Sequence, residues 1–364
     1  MPRTTCKAAV FAEAGKPLAI EEFELPEIIE EGSALCKVIM STICGSDLHT
    51  ISGRRVELAP SILGHEVIGQ IVALGPGLDR DRFDKGLNIG DRVSWSIMAS
   101  CGRCFCCGLD LPQKCEYLLK YGHLCCDDPP QLTGGYAEYI YLFPGTAIFK
   151  VPDGIPDKIA TPANCALSTV VNAVETIGIN QGETVLIQGA GLLGLNLVAL
   201  ASEAGARNVI VTDISESRLK LASRFGADIC LDVKRSSSEE VLSDINRRTD
   251  GHGVDVAFEV CGEKAVATQA LDALRIGGRY LIAGLVMPGS DLGIDGNQVT
   301  RKCLTIKGVH NYKPEHLSKA LGFLESHWQK YPYAELVGRT FPLSQINEAV
   351  RVGASGEYIR VGIR

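Results

Sequence analysis

Val185-Leu-Ile-Gln-Gly189-Ala-Gly191-Leu-Leu-Gly194 is an apolar run that ends in Gly-x-Gly-x-x-Gly and leads into helix-forming sequence at residues 192–204. A glycine-rich turn with a strand before it and a helix after it is the setting that dinucleotide binding requires. Gly189 permits the tight turn, Gly191 lets the backbone come close to a pyrophosphate, and Gly194 lets the helix pack hard on the strand. Leu192 and Leu193 open that helix, whose N-terminal N–H groups would face the anion. The next apolar strand, residues 208–212, runs into Asp213, where a carboxylate would accept hydrogen bonds from ribose hydroxyls and repel a 2′-phosphate. NAD is therefore expected in preference to NADP. Arg218, on the following helix, could flank the same ribose or be an ordinary solvated residue.

Moving outward, strands at 184–188, 208–212, 255–260 and 279–283 alternate with helical stretches at 192–204, 216–225 and 264–274. Strands that are apolar throughout and joined by helices imply a parallel sheet covered on both faces. Beyond Gly296 the rhythm loosens to a strand at 304–308, a helix at 315–324 and a final strand at 358–363. The first 150 or so residues are different, with short β-branched runs at 36–40, 67–74 and 139–143 set between Gly and Pro. They read as mostly β. The expected fold is α/β: a mostly-β domain of residues 1–166 and 308–364, and a doubly wound parallel-sheet (Rossmann) domain of residues 167–307.

Of the fourteen cysteines, five crowd together as Cys101, Cys104, Cys106, Cys107 and Cys115. Cys101-x-x-Cys104-x-x-Cys107 followed by Cys115 turns four thiolates toward one point and closes a tetrahedron with no place left for water, which is a structural zinc site in a lobe of about residues 95–120. Cys106 adds a competing thiol beside Cys107. The isolated Cys6, Cys36, Cys230, Cys261 and Cys303 read as small hydrophobes. A dispersed second set comprises Cys44 in Cys-Gly-Ser-Asp-Leu-His, His65 and Glu66 in Gly-His-Glu-Val-Ile-Gly, and Cys165 in Pro-Ala-Asn-Cys-Ala. Each taken singly is equally a packed core residue; together, two thiols and an imidazole with an open fourth position would make a catalytic zinc set.

These motifs occur in order through nearly the whole chain, with Gly-Asp-Arg-Val at 90–93 and Asp-Val-Ala-Phe-Glu-Val-Cys-Gly at 255–262 added, and the sequence resembles the zinc-dependent medium-chain alcohol dehydrogenases. The resemblance implies a GroES-like β catalytic domain beside the Rossmann domain, two zinc ions per chain and NAD(H). It makes Cys44, His65 and Cys165 the catalytic zinc ligands, Glu66 a carboxylate that exchanges onto the metal, and Asp47 the acid that orients the zinc-bound histidine. Polyol and threonine branches of the family use an acid in the region of Cys165. Zinc would act as Lewis acid on the alcohol oxygen and NAD as hydride acceptor. Ser46 would take the alcohol proton and pass it through the coenzyme ribose to His49. The resemblance further implies a cleft active site at the carboxyl ends of the strands, and a homodimer or homotetramer built by pairing the edges of Rossmann sheets.

Ser-Asp-Leu-His-Thr-Ile-Ser-Gly-Arg-Arg at 46–55, Leu-Pro-Gln-Lys-Cys-Glu-Tyr-Leu-Leu-Lys-Tyr-Gly-His at 111–123 and Leu-Thr-Ile-Lys-Gly-Val-His-Asn-Tyr at 304–312 look like a branch described as phosphonate-catabolism-associated, and hydroxycamphor dehydrogenase-like proteins are similar. An anionic alcohol would suit Arg54, Arg55, Lys120 and His123 if they gather at a substrate mouth; otherwise they are surface or interface residues. The rival enzymes are polyol and L-threonine-type dehydrogenases. A non-enzymatic NAD-binding protein on the same fold would be expected to have lost a ligand or relay residue, and none of Cys44, Ser46, His49, His65 or Cys165 is missing.

Lys and Arg number 36 against 43 Asp and Glu, a net charge of −7 with no basic block, so no nucleic-acid partner is expected. The opening Met-Pro-Arg-Thr-Thr-Cys-Lys has no secretory h-region, and no segment is apolar enough to span a bilayer. A cytoplasmic enzyme acting on a small molecule, away from membranes, is the expectation.

Overall fold

The computed structural model describes residues 4–364. The chain forms two compact units, one of residues up to 168 with 313–329 and 333–364, the other of residues 169–312 with 330–332.

The second unit is a six-stranded sheet of β1 (Thr184–Gln188), β2 (Asn208–Asp213), β3 (Ile229–Asp232), β4 (Val254–Glu259), β5 (Leu274–Ile282) and β6 (Thr305–Gly308). The order is β3-β2-β1-β4-β5-β6 and every neighbouring pair is parallel. That is the doubly wound order of two mononucleotide-binding halves meeting between β1 and β4. β1 is buried along its whole length, as a strand covered on both faces must be. Leu186, Ile210, Ala257 and Tyr280 pack with Ala267 and Leu271 of the helix Val266–Ala273 in one apolar core. The helix Leu192–Glu203 follows the glycine turn, and Gly194 is required there because a Cβ would fall 1.8 Å from the Gly189 carbonyl oxygen. β3 and the helix Ser238–Arg248 are elements the sequence reading passed over. β3 is only four residues of half-buried chain, and the helix is strongly polar. Its one local signal is a reciprocal cap, in which Glu240 N–H donates to Ser237 Oγ (3.2 Å) and Ser237 N–H to Glu240 Oε2 (2.7 Å).

The first unit is mostly β. Ala34–Thr42 pairs antiparallel with Glu66–Leu74, with Tyr139–Leu142 and with the C-terminal strand Arg360–Ile363, in a sheet of eight strands. Ala34, Cys36, Val67, Ile71, Trp95 and Tyr121 fill its core. A three-stranded sheet of Thr5–Phe11, Ala19–Glu24 and Ser61–Ile62 packs through Ala8, Val10 and Ile62. The lobe around residues 101–117 holds little regular structure beyond the single turn Phe105–Gly108 and a 3-10 turn at Pro112–Lys114. Phe105 and Tyr117 are 71% and 70% exposed, so this lobe has no apolar core to hold it. Among the described residues no helix is long and apolar enough to cross a membrane.

Candidate active site and metal centres

Two groups of metal-ligating side chains converge in the first unit. Cys101, Cys104, Cys107 and Cys115 bring their sulfurs within 4.8 Å of one another, and so do the ligand atoms of Cys44, His65, Glu66 and Cys165. Cys106 is outside the first quartet. All fourteen cysteines are free thiols.

In the lobe, backbone N–H groups point at the sulfurs: Cys101 N–H at Cys115 Sγ (3.3 Å), Tyr117 N–H at the same atom (3.3 Å) and Glu116 N–H at Cys104 Sγ (3.4 Å). The Glu116 N–H is the main reason the Cys104 thiol is held down to about 6. Four sulfurs, donor N–H groups directed at them and no core beneath suit a closed zinc site whose metal supplies the folding energy of the lobe.

The second group is assembled from three separate places. Cys44 sits where the strand Ala34–Thr42 gives way to the helix Gly45–Ile51. His65 immediately precedes and Glu66 begins the strand Glu66–Leu74, and Cys165 follows the 3-10 turn Thr161–Asn164. Asn164, fully buried, ties that turn to the sheet: its Nδ2 donates to the carbonyls of His65 (3.0 Å) and Trp95 (3.2 Å), and Val67 N–H donates to its Oδ1 (3.3 Å). Asp47, also buried, accepts Cys44 N–H (2.8 Å) and the Tyr136 hydroxyl (3.0 Å) on Oδ2, and its Oδ1 lies 3.3 Å from His65 Nδ1. That nitrogen is not in line for a hydrogen bond, and the other ring nitrogen is left for the thiols. The Cys44 thiol is held well below its ordinary range, chiefly by the hydrogen bond with Cys165. Cys165 is raised by the same bond. Two sulfurs and an imidazole make a soft donor set that fits zinc.

Glu66 has no solvent exposure and is gripped by Arg360, whose Nε donates to Oε2 (2.8 Å) and Nη2 to Oε1 (2.9 Å), while the Thr42 hydroxyl adds a bond at 2.5 Å. Arg360 Nη2 also lies 3.5 Å from Cys44 Sγ. Sequence reading missed Arg360, Asn164 and Thr42 as members of this site.

Ser46 and His49 are half-buried on the helix Gly45–Ile51. Burial first, and then the Arg54 charge, lowers the His49 pKa. Arg54 itself is exposed. Arg55, Lys120 and His123 come together around Glu57, which no sequence signal had marked. Arg55 is ion-paired to Glu57, and His123 Nε2 lies 3.8 Å from the same carboxylate. The His123 ring is 5.5 Å, centre to centre, from that of His65. Gly122, at φ +75°, makes this possible: the turn lies so close to Gly64 that a Cβ would meet its carbonyl oxygen at 2.8 Å. His123 Nδ1 donates to the Tyr121 carbonyl (2.9 Å), and burial followed by the Lys120 charge keeps the ring well below the usual imidazole range.

In the other unit, Gly189, Gly191, Leu192, Leu193 and Gly194 stand at the carboxyl end of β1 and the start of its helix. Asp213 ends β2 and Arg218 is half-buried on the helix Glu216–Arg224.

A Rossmann unit with a catalytic-type zinc set and a separate four-thiol lobe defines a zinc- and NAD-dependent oxidoreductase acting on alcohols. Residues 30–153 match the family described as alcohol dehydrogenase GroES-like domain and residues 193–326 that of zinc-binding dehydrogenase. The chain is 29% identical to 5-exo-hydroxycamphor dehydrogenase of Pseudomonas putida over 97% of both chains, and 35% identical to L-threonine 3-dehydrogenase of Colwellia psychrerythraea over 76% of both. An alcohol dehydrogenase from Thermotoga maritima superposes with a TM-score of 0.94 at 32% identity, covering 99% of each chain. The chain belongs to the zinc-dependent medium-chain alcohol dehydrogenase family, with zinc and NAD(H) as cofactors and a small-molecule alcohol as substrate.

Proposed function

We propose that this enzyme oxidises a small alcohol that carries an anionic group, with Lys120 as the receptor for that anion. The observation that carries the reading is the state of Lys120. Burial, and next the Arg55 charge, lowers the pKa of its ammonium; it feels the charges of Cys165, Glu57 and Cys44, yet among the described residues no carboxylate stands at ion-pair distance from it. Arg55 is already occupied by Glu57, and burial with the Lys120 charge disfavours a proton on His123. A desolvated, unpaired cation beside the metal set is stabilised by an anion of the substrate.

In this reading Cys44, His65 and Cys165 hold the catalytic zinc. Glu66 is engaged by Arg360 and Thr42, so Cys44, His65 and Cys165 rather than Glu66 would hold the metal. Zinc supplies Lewis-acid polarisation of the alcohol, and NAD accepts the hydride. Asp47 anchors Cys44 through its N–H and sets its charge 3.3 Å from His65 Nδ1. Ser46 accepts the alcohol proton and hands it toward His49 and solvent. Asp213 receives the adenosine ribose, with Arg218 beside it. Cys101, Cys104, Cys107 and Cys115 hold the structural zinc. Fourteen free thiols suit a reducing, cytoplasmic setting, and the open edge strand β6 suits assembly through the Rossmann sheet.

A second reading, an L-threonine-type amino alcohol, is favoured by the threonine dehydrogenase relatives and by Glu57, a carboxylate beside Lys120 that would receive an ammonium. NADH formation on matched pairs decides: a hydroxyalkylphosphonate, its neutral alcohol twin, L-threonine and a bulky cyclic alcohol. The expected result is a preference for the phosphonate over its twin that disappears in Lys120→Met, through KM. Equal turnover of the twins by the native enzyme removes the anion site and leaves the dehydrogenase assignment standing.

A further inference from the structure

Glu259, the last residue of β4, has no solvent exposure. Its two side-chain oxygens accept four backbone N–H groups: Oε1 from Cys261 (2.9 Å) and Gly262 (2.6 Å), Oε2 from Gly284 (2.8 Å) and Leu285 (2.9 Å). The first two donors follow β4 and the second two follow β5, so one side chain joins the loops that leave two adjacent parallel strands. A buried carboxyl group is costly unless its lone pairs are used, and here four main-chain donors use them. The result is a fixed relation between two loops at the carboxyl edge of the sheet, the edge at which dinucleotides bind.

The same loop is locked to the glycine turn. Val260 N–H donates to the Gln188 carbonyl (3.1 Å), and a Cβ on Gly189 would fall 2.8 Å from Cys261 Cβ. Gly284 is equally confined, since a Cβ there would lie 2.5 Å from Glu259 Oε1 and 2.6 Å from Gly262 N.

The sheet order divides this unit into two mononucleotide halves, and each has a carboxyl group at a strand end. In the half β1-β2-β3, Asp213 accepts Ala190 N–H (2.7 Å) and Ser215 N–H (2.8 Å), which fixes the glycine turn and leaves lone pairs for a ribose. In the half β4-β5-β6, Glu259 fixes two loops and has no lone pair to spare. We infer that Glu259 is the positioning residue of the nicotinamide half: it does not touch the coenzyme, but sets the main-chain groups of 260–262 and 284–286 that receive the nicotinamide nucleotide. The adenosine half is held separately, through Asp213. This goes beyond the substrate reading above and does not depend on it.

Glu259→Gln tests the inference, because one carboxyl oxygen becomes an amide nitrogen that faces two N–H donors with donors of its own. The full zinc-loaded chain is titrated with NADH and with ADP-ribose, which carries the adenosine half and both phosphates but no nicotinamide. The expected result is a Kd for NADH raised about tenfold or more, the equivalent of about 1.4 kcal/mol. ADP-ribose binding stays within about twofold, the KM for NAD rises more than kcat falls, and zinc content is unchanged. Equal weakening of both ligands, or no weakening of either, overturns the assignment. If Glu259→Gln does not fold, Gly284→Ala takes its place: its added Cβ displaces Oε1 while the carboxyl group remains, and the same selective loss of NADH is required of it.

Discussion

His49 shows how burial and a neighbouring charge together shift the working range of a residue. To accept a proton it must be neutral, and burial together with the Arg54 charge lowers its pKa, which widens the range in which it is neutral. Activity then falls as the pH drops through the His49 pKa. Arg54→Gln removes a positive charge, so His49 keeps its proton to a higher pH and the acid limb of the kcat/KM profile moves upward. The pH profiles of the two proteins measure this, and superimposable acid limbs would take His49 out of the relay. Arg54 and Arg55 are adjacent in sequence yet have different surroundings: Arg54 is exposed, whereas Arg55 turns inward to Glu57, and both charges act on His49, that of Arg54 more strongly. They sit in the bend that follows the helix Gly45–Ile51, which parts the two side chains, and nothing in the dipeptide itself announces it. Cys44, Asp47 and His65 were named because their short motifs resemble those of a known family. Arg360 was not, because its carboxylate partner is 294 positions away and a lone arginine in a C-terminal strand has no pattern around it.

The cysteine lobe is the element most dependent on its metal. Cys104 begins the single turn Phe105–Gly108, which places Cys107 with the quartet and leaves Cys106 outside it. Cys107→Ala is expected to reduce zinc from two ions per chain to one and to lower Tm by several degrees, since the lobe has no apolar core to replace the metal. Cys106→Ala leaves both quantities at the native value. Metal analysis and thermal melts check the pair, and loss of zinc from Cys106→Ala would exchange the two roles. The spacing named Cys107, with Cys106 as a competing thiol beside it, and the direction of the helical turn places Cys107 with the other three sulfurs. The Rossmann strands β1, β2 and β4 were readable as uninterrupted apolar runs. β3 and the helix Ser238–Arg248 were not, because a four-residue strand and a polar helix owe their conformation to the sheet they pack on.

At the scale of the molecule, the six-stranded sheet ends at β6, whose Thr305, Lys307 and Gly308 are exposed. An open parallel edge of this kind is a template for another strand. Light scattering on the purified enzyme is expected to return two or four times the 39.0 kDa of one chain; a monomer at micromolar concentration would dismiss pairing through this edge. The sequence by itself determined the α/β class, the glycine turn with Asp213 and the four-cysteine spacing, because each depends on residue types at short spacing or on hydrophobic period, which are properties of neighbours along the chain; the dispersed set Cys44, His65 and Cys165 was named only through the resemblance to the family. Only the tertiary structure decided which residues hold those ligands in place. Arg360 on Glu66, Asn164 beneath Cys165, Glu57 among the cations and Glu259 between two loops are contacts between segments remote in sequence or at the ends of strands, and they exist only once sheet order and register bring those segments to hydrogen-bonding distance.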